Sequence, residues 1–494
     1  TRDGVQLMLV WAALALSLGR AVAGPVDMYG FGAHSIGRGQ GGVAIPDGGM
    51  TTFRNPALLQ RLEWAEASIG YGGYRAKLPR TPNVYWDTNR DGVLDETDAP
   101  LSLLSQAPNA DGMTLSMARN IGDRVGIAIN GFFPSKRLMM FGTTEPALPT
   151  WVMFGNRTQR VDLSLGLGAE IFRGLSLGAS VEVVAMARYQ ILGTIDVGVG
   201  ASETEEDDMG DLVDDIVVDI HEMSLDIVPR AIPVLGFHWD VGRLFSALEG
   251  AHLGISWRAA SGIPIDAKLD LQVNGTLADL GDLDDMALTI VMPVELGIFD
   301  HYVPARWSFG AAYRYKNAPL VYLDVHRTYW SGMRVNVAHV TDSAIRSQIF
   351  KVDEDLVDDA NQYTALFADT TDVHAGTEIY LPSIQTQGNA VEPVLRFGVA
   401  LIPSPLESQE VGTAFLDSDR LLATLGAGIR HDDPLGLVPG PVRWDFFYTR
   451  TKLAEGQLQV ADSQSPRPGA PINGQAIPIG GTLWSGGAQM TVSF

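Results

Sequence analysis

The sequence predicts an all-β protein, a transmembrane antiparallel β-barrel of about fourteen strands. Three observations predict it. Apolar and polar residues alternate with period two through many segments, and short turns take turns with long loops. After about the first 25 residues, no stretch is apolar enough for a membrane helix, which needs about 20 such residues.

The alternation is cleanest from Arg160 to Ile171, where Val161, Leu163, Leu165, Leu167, Ala169 and Ile171 interleave with Asp162, Ser164, Gly166, Gly168 and Glu170. Successive side chains of a strand point to opposite faces, so one face suits lipid and the other a lumen. After Phe172-Arg173-Gly174 the pattern restarts with Leu175, Leu177, Ala179, Val181 and Val183. Trp307, Phe309, Ala311 and Tyr313 repeat it, as do Val442, Trp444, Phe446 and Tyr448. A soluble sandwich also alternates. The turn–loop asymmetry, and Tyr and Trp placed near strand ends on the apolar face, favour the membrane barrel.

Strands are expected at 64–74, 112–120, 124–134, 159–171, 174–193, 229–240, 252–273, 304–316, 319–335, 373–386, 393–403, 420–431, 441–453 and 479–494. The tenth alternates least, and the even strand number of bacterial barrels supports it. A barrel of this size encloses a lumen too wide for wall side chains alone to fill.

Ahead of the strands, Arg2, an apolar stretch from Val5 to Leu18 and Ala21-Val22-Ala23 read as a signal peptide over 1–23. Residues 24–63 do not alternate and are rich in glycine, a composition that fits a disordered tail or a plug inside the barrel.

There are no cysteines, which excludes a disulfide scaffold, a thiolate metal site and a cysteine nucleophile. The formal charge of −23 argues against a nucleic-acid partner, which requires a basic face. The acid is blocked: ten acidic residues fall between Glu203 and Glu222, and Asp353, Glu354, Asp355, Asp358 and Asp359 form a second group. Such runs read as solvated loops.

Gly37-Arg38-Gly39-Gln40-Gly41-Gly42 has dinucleotide-loop spacing but lacks the flanking strand and helix that give it meaning. Gly174-Leu175-Ser176-Leu177-Gly178 puts its serine at a strand start instead of a nucleophile elbow. The histidines show no H-E-x-x-H spacing. No catalytic set emerges, and the reading is that of a non-enzyme.

One segment carries metal chemistry. Calcium takes about six to eight oxygens, which an EF-hand loop supplies from its first, third, fifth, seventh, ninth and twelfth positions, with glycine sixth. Asp87, Asn89, Asp91, the Val93 carbonyl, Asp95 and Asp98 fall there, with Gly92 sixth. Aspartate in place of glutamate at the twelfth position shortens the last ligand. A structural Ca2+ in the first outer loop is the expectation, against a plain polar turn.

Two loops show helix-like spacing: Met209, Leu212, Val213, Ile216, Val217, Ile220 and Met223 in one, Leu277, Leu280, Leu283 and Met286 in the other. Such helices would pack as a cap, or would hold an apolar groove between them that captures a ligand through Leu212, Ile216 and Ile220.

Several segments resemble the FadL family of outer-membrane hydrophobic-compound and long-chain fatty acid transporters. Gly37-Arg38-Gly39, Gly42-Val43-Ala44 and Arg54-Asn55-Pro56-Ala57-Leu58 look like that family's glycine-rich hatch ending in N-P-A. Leu416-Asp417-Ser418-Asp419-Arg420, running into Leu425-Gly426-Ala427-Gly428, is similar to its late-strand signature, with Arg396-Phe397-Gly398-Val399-Ala400, Pro403 and Pro405 before it. Asn130-Gly131-Phe132-Phe133-Pro134 resembles the end of its third strand. The likeness is spread over nearly the whole chain, in short motifs. It implies a hatch over 24–63 plugging a barrel over 64–494, capture between the third and fourth outer loops, and sideways exit near strand three.

Gly131 offers no side chain to pack and Pro134 no backbone donor, so a kink or gap is expected at 130–134, facing Asn55, Pro56 and Ala57. The expected protein is a monomeric passive transporter in the bacterial outer membrane, in contact with its lipid and lipopolysaccharide, carrying small hydrophobic compounds such as fatty acids or aromatic hydrocarbons. A calcium-bound adhesin or scaffold barrel is the second reading, and an outer-membrane lipid hydrolase the third.

Overall fold

The computed structural model describes residues 32–89, 93–103, 109–135, 149–151, 153–154, 161–199, 213–262, 267–277 and 287–296. It continues over 302–333, 339–340, 366–386, 389–408, 415–432, 439–458, 471–473 and 477–494. The signal-peptide reading at 1–23 and the acidic group at 353–359 lie outside them.

The wall is a closed barrel of 14 antiparallel strands. In chain order these are β1 (Glu66–Lys77), β2 (Ala110–Ile121), β3 (Val125–Pro134), β4 (Asp162–Phe172), β5 (Leu175–Val199), β6 (Val213–Asp240) and β7 (Ala251–Arg258). There follow β8 (Ala305–Tyr313), β9 (Leu320–Tyr329), β10 (Thr370–Tyr380), β11 (Asn389–Ile402), β12 (Arg420–His431), β13 (Val442–Leu458) and β14 (Ile477–Ser493). Each pairs with its chain neighbours, and β1 closes the ring on β14 from Glu66↔Ser493 to Lys77↔Thr482. A closed ring leaves no unpaired edge, which is why strands can cross lipid at all.

Period two decides which face is which. On β4, Leu163, Leu165, Leu167 and Ile171 are exposed outward while Asp162 and Ser164 are buried inward. Leu115 and Met117 on β2, Phe309 on β8, Val399 on β11 and Phe446 on β13 continue the outer apolar belt. The inner face collects Ser116, Ser180, Glu182, Asp324, His374 and Arg396.

Three expectations about these elements need correction. Of the helix-like spacing at 209–223, residues 213–223 are strand, while Met209 and Leu212 lie outside the described residues: β6 runs continuously from Val213 to Asp240 against β5, from Val199↔Val213 down to Leu175↔Trp239. Val213, Ile216, Val217, Val218 and Ile220 are β-branched, stiff about χ1, and fit a pleated surface better than a helix. With 25 residues at about 3.3 Å each, β5 is about 80 Å long, far beyond the bilayer's hydrocarbon thickness. The hairpin therefore stands well above the membrane.

The seventh strand, expected over 252–273, stops at Arg258. Residues 267–277 and 287–296 form a separate hairpin, whose first strand lies parallel to the upper part of β5. Leu277 ends that strand, so the second helix-like pattern is not helical there, while Leu280, Leu283 and Met286 fall outside the described residues. The tenth strand, the least regular in sequence, is present as β10 and is paired on both sides.

Residues 32–63 fill the lumen as a hatch. It consists of helix α1 (Ala33–Gly37), helix α2 (Thr51–Arg54) and a 3-10 turn at Pro56–Arg61, and Ile36, Met50, Leu58 and Leu59 are fully buried. The hatch backbone lies directly on the wall because the wall is glycine where they meet. A Cβ on Gly126 would stand 2.0 Å from the Leu59 carbonyl oxygen, and one on Gly254 2.0 Å from that of Val43. Gly376 and Gly398 approach Arg38 in the same way. These glycines sit on successive strands, and neighbours face each other in register: Gly126↔Gly168, Gly168↔Gly178, Gly178↔Gly236, Gly254↔Gly310 and Gly376↔Gly398. A collar of small residues thus holds a backbone-to-backbone seat that any side chain would block.

Candidate functional site: the plugged lumen

From outside to inside, the lumen has an aromatic mouth, a polar cavity, the hatch and an inner vestibule. The mouth is one apolar cluster built from strand tops and outer loops. Tyr74, Phe132, Leu453 and Leu483 come from the wall, and Trp151, Phe154, Trp330, Met333 and Phe415 from the loops. Trp151 and Phe154 meet edge to face at 5.9 Å, a favoured aromatic geometry. The Arg420 guanidinium lies over the Phe154 ring at 5.4 Å and 3.5 Å from Asp417. Asp417 accepts from the Ser404 hydroxyl at 2.7 Å, and Asp419 from the Ser404 N–H at 2.8 Å. The LDSDR stretch therefore ties the sixth outer loop over the mouth.

Beneath the mouth, a cavity of about 60 Å³ lies between hatch and wall. Asp162, Glu182 and Asp372 line it with Arg54, Arg258 and Arg306, together with His326 and His374. It has room for a few waters, and its walls are charged, in contrast to the mouth above.

The N-P-A motif anchors the hatch. Asn55 donates through Nδ2 to the Val43 carbonyl at 2.7 Å and to the Phe237 carbonyl of β6 at 2.9 Å. Its Oδ1 accepts the Ala57 N–H at 3.2 Å, capping the 3-10 turn, where Pro56 needs no donor. Pro56 and Ala57 rest against Gly168, Gly178 and Gly236 of β4, β5 and β6. They do not face 130–134.

Over 130–132 the expected kink or gap is absent among the described residues. β3 pairs with β2 through Pro134 and with β4 through Phe132, without a register shift on either side. A Cβ on Gly131 would meet Leu163 and Phe133 side chains, so its neighbours close over the glycine and the ladder needs nothing from it. The five residues have separate duties. Asn130 points inward and holds the hatch, donating to the Gly49 carbonyl at 2.8 Å and to Thr52 Oγ1. Phe132 belongs to the aromatic mouth. Phe133 and Pro134 extend above Phe132↔Asp162, the last β3–β4 pair among the described residues. Of the expected capture residues, Ile216 and Ile220 lie on the tall part of β6, and Leu212 falls outside the described residues.

Sequence reading missed a buried ion-pair chain between hatch and wall. Glu378 of β10 receives Arg38 at 2.5 Å and His34 at 2.9 Å, and Arg396 lies at 3.6 Å. Arg396 reaches Asp445 at 2.8 Å, which Arg443 also holds at 2.7 Å. His34 binds Asp47 at 3.1 Å through its other nitrogen. Burial works against an ionised Asp47, yet the hydrogen bond and charge of His34, with Arg38 and Arg54 nearby, hold its carboxyl well below the usual range. The signal was charge at lumen-facing positions of separate strands, visible only once register is known. On the inner side, His34, Arg61, Arg314 and Arg443 border a vestibule of about 400 Å³.

The calcium-type loop joins two short paired strands, Thr81–Trp86 and Ala99–Leu103, at the outer end of β1. Asp98 is buried, and its two oxygens accept the N–H groups of Thr88 and Asp95, each at 3.0 Å. Asp95 accepts from the Thr97 N–H and hydroxyl, both at 2.7 Å, which keeps its carboxyl below the ordinary range. Asn89 donates to Asp95 at 3.3 Å, Asp87 is buried, Val93 is exposed, and Asp91 falls outside the described residues. The described positions are gathered in one turn.

No family model and no curated protein matches the chain. Among solved structures, it is similar to a FadL homologue of Pseudomonas aeruginosa, at 15% identity over 97% of this chain and 100% of that one, with a TM-score of 0.54. It also aligns with the monoaromatic hydrocarbon channel CymD at 14% identity, over 96% and 99%, TM-score 0.45. The toluene transporter TodX of P. putida aligns at 14%, over 95% and 99%, TM-score 0.43. The first likeness establishes a FadL-like fold, a hatch-plugged barrel of 14 strands.

Proposed function

We propose that the protein is a bacterial outer-membrane channel for passive entry of small hydrophobic compounds. The observation that carries this reading is the aromatic cluster at the outer mouth, set above a plugged lumen in a barrel with an apolar belt. An apolar solute gains by leaving water for such a mouth, roughly 25 cal/mol for each Å² it buries. The fold shared with the P. aeruginosa FadL homologue supports the same reading. It works without a catalytic step and as a monomer, surrounded by outer-membrane lipid and lipopolysaccharide.

Long-chain fatty acids and aromatic hydrocarbons are the substrate classes proposed. The mouth's rings suit either an apolar chain or an aromatic ring. Release is proposed to run sideways at the top of β3, where pairing with β4 among the described residues ends at Phe132 and Phe132 itself joins the mouth cluster. The outer turn formed by Asp87, Asn89, Asp91, Val93, Asp95 and Asp98 is proposed to take a structural Ca2+, supported by the ligand spacing and by the gathered described carboxylates.

Uptake into liposomes of a labelled fatty acid and of a labelled aromatic hydrocarbon tests the reading. Entry of either above protein-free vesicles is expected, and entry of neither would refute transport.

A further inference from the structure

We infer that His326, Asp372 and His374 form a divalent transition-metal site on the lumen wall, taking Zn2+ or an ion of similar preference. The three residues lie on β9 and β10, all buried, with potential ligand atoms within 4.8 Å of one another. Ligands of a tetrahedral zinc stand about 3.4 Å apart, so small side-chain rotations complete the site. Imidazole with carboxylate is the donor set that suits such ions, and the charged cavity beside it offers room for a water as the fourth ligand.

Hydrogen-bond logic points to a cation. His374 Nδ1 lies 2.8 Å from the Gly39 carbonyl oxygen, which can only accept, so the proton sits on Nδ1. Nε2 then either carries a second proton, donated to Asp372 Oδ2 2.8 Å away, or presents its lone pair to a metal ion that takes that proton's place. Either way a positive charge stands between the two atoms, and a divalent ion supplies it without a buried imidazolium. The second carboxylate oxygen, Asp372 Oδ1, is fully buried and has no hydrogen-bond partner among the described residues. His326 completes the set: its Nδ1 is 2.8 Å from the Ser308 hydroxyl, which can accept its N–H and leave Nε2 free for a metal. Outer partners of this kind are what ligating histidines ordinarily have. Of the arginines lining the cavity, Arg54 donates to the Gln40 carbonyl, Arg306 to Thr328 at 3.3 Å, and Arg258 lies 3.9 Å from Glu182. Through His374 and Gly39 an ion here would tie the hatch to the wall.

The test uses the full chain without an affinity tag, in detergent, stripped by chelator and titrated with Co2+, whose visible d–d absorption reports coordination. One Co2+ per chain displaced by Zn2+ is expected, with binding weakened at least ~10-fold by His326→Gln and by Asp372→Asn. An Asp91→Ala background removes the outer loop as a competing site and should leave the spectrum unchanged. A wild-type chain with no d–d band, or variants that titrate like wild type, would overturn the site. Should the variants misfold, zinc-edge absorption of the wild type decides: scattering from two imidazoles is expected, and an all-oxygen shell rules the site out.

Discussion

Asn55 of the hatch donates its side-chain amide to the main-chain carbonyl of Phe237 on β6, at 2.9 Å, while the same amide reaches Val43 within the hatch. One short side chain thus joins the plug both to itself and to the wall.

Replacing it should loosen the plug without unfolding the barrel. Asn55→Ala leaves buried carbonyls without donors, at about 1–3 kcal/mol each. Amide exchange in residues 36–62 should accelerate, while the β11–β13 amides stay protected. Equal protection of the hatch in both proteins would show that Asn55 is not its anchor.

The collar makes a sharper prediction. A Cβ on Gly178 would stand 2.2 Å from the Ala57 backbone nitrogen. Gly178→Val should therefore displace the hatch, seen as raised single-channel conductance in planar bilayers and protease cleavage near Pro56. Conductance at the wild-type level with an intact hatch would mean the wall yields instead.

At the mouth, Phe154 is fully buried against Trp151. Phe154→Asp puts a charge into that cluster, and burying an unpaired charge costs several kcal/mol. Affinity for a fluorescent apolar probe should fall at least ~10-fold, with strand content by circular dichroism unchanged. Probe binding at wild-type strength would place capture elsewhere.

Two further substitutions address the exit and the calcium loop. Gly131→Val enlarges a lipid-side position beside Phe133 and Leu163 and should reduce uptake while probe capture persists. Unchanged uptake would remove the sideways route. Calorimetric titration should show one Ca2+ site in wild type that Asp91→Ala abolishes, and identical isotherms would remove the metal.

Acid should unlatch the hatch. Asp47 is held below the ordinary aspartate range in the folded chain, so its pairing stabilises the hatch above about pH 4 and that contribution is lost as pH falls further. Hatch protection should decline with acidification in wild type and depend less on pH in Asp47→Asn. A parallel decline in both would assign the effect to other groups.

How much of this was legible follows from the range of each signal. The alternation of Leu163, Leu165 and Leu167 is local, so β4 could be read directly, as could the Asn55-Pro56-Ala57 hatch by resemblance. Apolar spacing at Ile216 and Ile220 was ambiguous between periods, and β-branching, not spacing, decided it. The His326–Asp372–His374 grouping depends on β9 meeting β10 in register, from Asp324↔His374 to His326↔Asp372, across an intervening loop. No sequence window contains that relation. The collar glycines were equally visible as letters, and only the hatch lying on them gives them a purpose.

That collar also constrains the order of assembly. A plug touching the wall backbone to backbone around its girth, with Arg38 lying on Gly376 and Gly398 and Leu59 on Gly126, leaves no clearance for threading into a finished cylinder. Strands that curl around an already lodged plug avoid that obstacle, and the β1–β14 pairing, Glu66↔Ser493 to Lys77↔Thr482, joins the first and last wall strands of the chain. The hatch then acts as the mandrel on which the barrel is wound.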